Sequence, residues 1–176
     1  DPQSAYAIGL LSLQLKEWEE AKAALTRALD RGFRDASAVY LSLGAAAEGM
    51  KQFEEAITWY RKVDQTDWVR AQLKIATVIA HQQGLAAGRE YLQKIEPRST
   101  EDQIQVIQVE AQLLRDANRH GDAFALLDEA LKRQPEQPEL LYDYALTAEK
   151  LEKYDLLESN LRKLIQVRPE HAHAYN

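Results

Sequence analysis

Cysteine is absent from the 176 residues. That removes disulfides, thiolate zinc sites and a cysteine nucleophile, and it leaves the redox compartment open. Glycine (7) and proline (5) are scarce, and they fall between helical patterns rather than inside them. No run approaches the roughly 18 apolar residues of a membrane-spanning helix, so no direct membrane insertion by this segment is expected. No apolar–polar alternation is long enough for a strand. Basic residues are outnumbered 22 to 28, for a net charge of −6 and a pI near 5.3. This argues against nucleic acid as a partner, because phosphate binding needs a basic face. Gly-x-Ser-x-Gly is missing. Gly84 and Gly88 follow no strand and precede no Gly-Lys-Ser/Thr, so they form no phosphate loop.

What is present points to helix. Hydrophobic residues make up 45% and charged residues 28%, the balance of a folded globular chain. Ala, Leu, Glu, Gln, Lys and Arg dominate, all good helix formers. The clearest stretch runs from Ala38 to Val63. Tyr40, Leu43-Gly44 and Ala47 recur at helical spacing; a polar break follows at Gly49-Met50-Lys51-Gln52; then Phe53, Ala56, Tyr60 and Val63 resume the spacing. That is a helical hairpin written as a pattern.

The hairpin repeats. Gly9 and Gly44, Leu25 and Tyr60, Ala28 and Val63, and the Glu-Glu-Ala runs after Trp18 and Phe53 all stand 35 residues apart. Small residues at Gly9, Gly44, Ala76, Ala111 and Ala145 are expected to let each first helix approach its partner. Ala21, Ala56, Gly88 and Ala123 do the same from the second helix, and the larger residues fill the space between hairpins. The period of about 34 residues, with its order of aromatic, Leu-Gly, Tyr, Ala, Phe, Ala and Pro, resembles the tetratricopeptide repeat (TPR). The resemblance implies an all-α fold: a right-handed α-solenoid of antiparallel helix pairs. The expected repeats are about 2–36, 37–68, 69–103, 104–137 and 138–171, with 172–176 starting a sixth.

Departures from the pattern are local. The third repeat follows the second after only 32 residues, and Trp68 stands where a helix-ending proline is expected. After Pro97, Ser99 reads as an N-cap with Asp102 in a capping-box-like position. Leu157 occupies a crossing position that is otherwise small. The chain opens on Asp1-Pro2 without a signal-peptide pattern, so a preceding segment is expected to have been removed; Pro169 onward reads as a repeat cut short, as in a longer array.

No catalytic constellation emerges, and no enzyme activity, cofactor or metal is expected. Glu19-Glu20 and Glu54-Glu55 open second helices, where negative charge suits the helix dipole. His171 and His173, two apart, fall on different sides of a helix. His81 and His120 lie near turns and are expected to be solvated. Trp18 shares a core position with Phe53 and Tyr154, while Trp59 precedes the core Tyr60 and is expected on the outer face.

In TPR arrays the first helices line a concave groove where peptides or helices bind. The resemblance therefore carries the partner site to Tyr6, Leu10 and Leu13; to Leu41, Ala45 and Glu48; to Arg70, Leu73, Lys74, Thr77 and His81; to Gln105, Gln108, Gln112 and Arg115; and to Tyr142, Asp143, Leu146 and Glu149. The Lys/Asn/Asn/Lys/Arg set that holds a terminal carboxylate in one TPR subclass is not matched, since Tyr6, Leu10 and Ser42 stand at its early positions. Arg70 and Lys74 alone do not restore it. The early groove is apolar and suits an amphipathic helix or apolar peptide; the later part is polar. The expected function is a scaffold for a protein or peptide partner, and the alternative is a spacer or self-association segment. The ending Pro169-Glu170-His171-Ala172-His173-Ala174-Tyr175-Asn176 is similar to a segment of TPR lipoproteins of the Gram-negative outer membrane, which serve as assembly platforms or protease adaptors. That similarity implies the periplasmic side of the outer membrane and a lipid-bearing Cys upstream of Asp1, with the cytoplasm as the alternative.

Overall fold

The computed structural model describes residues 1–167 and contains ten α-helices there, with no strand among them. The expected start of a sixth repeat, with His171 and His173, lies outside the described residues. The chain parts into two compact units, Asp1–Ile95 and Glu96–Asn176. The first holds three hairpins: α1 (Pro2–Gln14) with α2 (Trp18–Asp30), α3 (Ala36–Gly49) with α4 (Phe53–Tyr60), and α5 (Trp68–Gln83) with α6 (Leu85–Gln93). The second holds α7 (Thr100–Asp116) with α8 (His120–Arg133), and α9 (Pro138–Lys150) with α10 (Tyr154–Val167).

Local chemistry sets the boundaries. The Asp1 carboxylate accepts from the Ser4 N–H at 2.8 Å, and Pro2 fills the first turn of α1, where its missing N–H loses nothing. Asp35 caps α3 by accepting from the Ala38 N–H at 3.0 Å. Ser99 caps α7 by accepting from the Asp102 N–H at 3.1 Å, while the Asp102 carboxylate accepts from the Arg98 N–H, one residue before the cap.

Four of the five hairpins turn in one way. Lys16, Lys51, Asn118 and Glu152 adopt φ of 58–59°. The N–H of the next residue reaches the carbonyl five positions back: Glu17 to Ser12, Gln52 to Ala47, Arg119 to Leu114 and Lys153 to Ala148, at 2.7–2.9 Å. This is the Schellman closure of a helix C-terminus. It places L-residues in the left-handed region, where the β-carbon costs about 1 kcal/mol. Lys51→Gly is therefore expected to stabilise the chain by up to about 1 kcal/mol, read as a higher urea midpoint. The third hairpin differs: Gly84 alone joins α5 to α6, at φ 100° and ψ 168°, a conformation reserved for glycine.

Packing follows the small-residue positions. Ala21, Ala56, Ala76, Ala111 and Ala123 have no accessible surface. A β-carbon on Gly9 would sit 2.6 Å from Cγ of Leu25, and one on Gly44 would strike the buried ring of Tyr60. The first unit's core groups Ala21, Leu25, Val39, Leu43 and Ala46 around the second helix pair's entry, then Ala56, Tyr60, Ala71, Ile75 and Val78 around α4 and α5. The second unit's core joins Ile104, Ala111, Leu127, Leu140 and Tyr144.

Two expectations are corrected. Tyr154 is 61% exposed rather than core. Its counterpart Trp18 is covered from the next hairpin, with its ring 2.5 Å from where a β-carbon of Gly49 would lie; no such helix covers Tyr154 among the described residues. His120 is half-buried rather than solvated, and its Nδ1 is buried without a hydrogen-bond partner. It occupies the same register as Trp18 and Phe53, at the start of a second helix, so the fold tucks it inward.

Candidate partner-binding surfaces

Each first helix of the first unit has three stripes. In α1 the residues Ala5, Gly9 and Ser12 face inward and are buried. One step round lie Tyr6, Leu10 and Leu13, spaced at i, i+4 and i+7, which form one face of a helix. Leu10 is 38% exposed, while Tyr6 stacks on Phe33 with ring centroids 4.3 Å apart. In α3 the matching residues Leu41, Ala45 and Glu48 are all half-buried. In α5 the face carries Arg70 and Lys74, both exposed, and Thr77, half-buried. Leu73 is only 7% exposed and belongs to the packing of α5. His81 is exposed at the end of that helix.

Glu48 is held in place. The Tyr60 hydroxyl donates to its Oε2. Burial pushes the Tyr60 hydroxyl far above the ordinary tyrosine range, and the Glu48 charge adds to this, while Arg70 works against it. Glu48 therefore anchors the ring that packs against Gly44 as well as facing outward. Trp59 is taken up internally: it stacks on Tyr40 at 5.9 Å, donates from Nε1 to Glu55 at 3.4 Å, and lies under the Lys62 ammonium at 4.5 Å.

In the second unit the expected residues gather into a polar network. The Asp143 carboxylate accepts from Gln108 Nε2 at 3.0 Å and from Arg115 Nη2 at 3.3 Å. Arg115 also donates to Thr147 Oγ1 at 3.3 Å and to Gln112 Oε1 at 2.8 Å. Gln112 in turn donates to Asp116 at 2.7 Å. The Arg115 and Asp143 side chains are only 11% and 10% exposed. Burial raises the Asp143 carboxyl above its ordinary value, opposed by the Gln108 bond and by the Arg115 charge. Such a pair clamps α7 to α9 and leaves little free charge to offer a ligand. Tyr142 is exposed, as is Glu149, whereas Leu146 is half-buried. Beside the network a cavity of about 420 Å³ opens over Ile104, edged by Gln105, Gln108, Gln137 and Glu101.

Thr147 was not among the expected site residues. Its signal was available: Gln108 and Asp143 stand 35 apart, one repeat length, so they neighbour on adjacent first helices. Thr147 is one turn beyond Asp143. Among the described residues no group of three His, Cys, Asp or Glu side chains is placed to hold a metal, and no helix is long and apolar enough to cross a membrane.

Comparisons with known proteins agree with this fold. A tetratricopeptide repeat family model matches residues 6–68 and 109–156. A TPR repeat-containing protein of Pseudomonas aeruginosa is 29% identical over 140 residues, covering 79% of this chain. The chain spans only 24% of that relative's length. Among solved structures, that of Pseudomonas aeruginosa pilF superposes with a TM-score of 0.60 at 16% identity, over 94% of this chain and 76% of that one. YrrB, described as a TPR protein with an unusual peptide-binding site, superposes with a TM-score of 0.51 at 18% identity, over 98% of this chain and 89% of that one.

Proposed function

The chain belongs to the tetratricopeptide repeat family, and from that premise we propose that it is a protein–protein interaction scaffold whose first-helix surface in the first unit seats a partner peptide or helix. One observation carries the reading. Leu10, Leu41 and Ala45 keep accessible apolar surface on one aligned stripe, while the inward stripe of the same helices is spent on packing. An apolar strip edged by Arg70 and Lys74 fits an amphipathic helix or an apolar peptide. In the second unit Gln108, Gln112 and Arg115 are taken up by the network around Asp143, so that unit's own first-helix surface is polar. The finer reading is a periplasmic adaptor or assembly platform. It rests on the likeness of residues 169–176 to TPR lipoproteins.

Leu10→Lys combined with Ala45→Glu tests this without touching the core. Affinity for an identified partner is expected to fall at least about tenfold, with helicity by circular dichroism unchanged. Leu73 is unsuitable for such a test, since its burial would confuse unfolding with lost binding. Undiminished affinity in the double variant would refute the assignment of the surface.

A further inference from the structure

The charges of the first unit are sorted by helix. Its second helices α2, α4 and α6 carry the carboxylates Glu19, Glu20, Asp30, Glu54, Glu55 and Glu90. Cations stand among them: Lys22 Nζ lies 2.6 Å from Glu55 Oε1, and that bond holds the Glu55 carboxyl below its ordinary value.

The first helices differ. Helix α1 has no charged residue, α3 has only Glu48, and α5 has Arg70, Lys74 and a terminal His81 but no carboxylate. Glu48 is already engaged by the Tyr60 hydroxyl. Arg70 and Lys74 are exposed, and among the described residues neither makes an ion pair or a hydrogen bond. Helix α5 is internal to its unit, with residues of α4 and α6 packed against it, so this face is not left open by an end of the chain.

In a chain of net charge −6, two unpaired cations beside an apolar strip select for one kind of ligand. They stand at i and i+4 on α5, about 6 Å apart on the helix surface. A chain terminus needs several donors around one carboxylate; here the cations are a turn apart, and the Ser42 hydroxyl of α3 is spent on the Ala38 carbonyl at 2.9 Å. Two side-chain carboxylates fit instead, at the spacing that another helix offers at its own i and i+4 positions. The acidic second helices repel such a ligand from the rest of the unit, which adds to selection.

Resting on the scaffold reading above, we propose that the partner of the first unit is an acidic amphipathic helix. Its apolar stripe lies along Leu10, Leu41 and Ala45, and two side-chain carboxylates one turn apart pair with Arg70 and Lys74. Exposed pairs of this kind choose among partners and speed encounter more than they add affinity.

The test is selection of a phage-displayed library of random peptides, about 16 residues long and fused through their C-termini, so that no terminal carboxylate is free. The wild-type chain is expected to enrich peptides with apolar residues at helical spacing and an Asp or Glu pair one turn apart. Arg70→Glu combined with Lys74→Glu should keep its helicity, since both positions are exposed, and should return Lys or Arg in place of the acidic pair. A wild-type-selected peptide should bind this variant about tenfold more weakly and should lose affinity for the wild type as salt rises. Two results overturn the proposal while the scaffold reading stands: wild-type-selected peptides without the acidic pair, or the same peptides from both proteins, when either enrichment vanishes with Leu10→Lys, Ala45→Glu. Enrichment that survives Leu10→Lys, Ala45→Glu, or no enrichment on the wild type, overturns the scaffold surface and the proposal with it.

Discussion

Arg115→Met is expected to destabilise the second unit by about 3 kcal/mol, since it leaves a carboxylate buried without its charge partner. Asp143 would keep only the Gln108 bond, with its side chain 10% exposed. The loss should depend on pH in a definite direction. The folded-state carboxyl of Asp143 is raised by burial, so its contribution to stability is fully present below the unfolded value of about 3.9 and is lost as pH rises through the raised folded value. Removing Arg115 raises that folded value further. The penalty in the variant should therefore be large at neutral pH and shrink on acidification toward pH 4. The double variant Arg115→Met, Asp143→Leu should recover most of the loss, because an apolar pair of similar volume has no charge to desolvate. Urea unfolding of the wild type and the two variants across pH measures all of this.

Gly88→Ala is expected to remove about 2 kcal/mol, although alanine is the better helix former by about 1 kcal/mol. Its β-carbon would lie 2.5 Å from Cβ of Ala80, 3.0 Å from the carbonyl oxygen of Ala76 and 3.1 Å from Cα of Ala80. None of these atoms can swing aside, so α6 must move off α5. Gly84→Ala should lose about 1–3 kcal/mol for another reason: space is open around it, but its φ of 100° is closed to side chains. Gly121→Ala is the control. It sits in α8 with nothing within 4 Å of an added β-carbon and no positive φ, so its change should be neutral or stabilising.

Those glycines also mark what the sequence made legible. Small residues at Gly9, Gly44 and Gly88 announced close helix crossings, because spacing fixes which face a residue takes and only a missing side chain permits that approach. The aromatic register was half legible. Trp18 and Tyr154 read alike, yet only Trp18 is covered, because its cover comes from the next hairpin and not from its own. His120 was misplaced for the converse reason: its place near a turn suggested solvent, but its register placed it inward. The candidate partner surface was legible as a stripe and not as chemistry. The resemblance to TPR arrays put Leu73 and Asp143 on the first-helix face, but whether a residue there stays open or turns into the packing depends on its neighbour one repeat away. Arg115 and Gln108 decide that for Asp143. Spacing within one helix cannot show it.

The proposed scaffold seats its partner on the first-helix surface of the first unit. Site-specific photo-crosslinking measures this directly, with a photoreactive side chain at Leu41 and, as control, at Thr58, which is exposed on α4. A covalent adduct to one partner protein from position 41, with none from position 58, is the predicted result. Equal adducts from both positions, or none from position 41 while the partner stays bound, would contradict it.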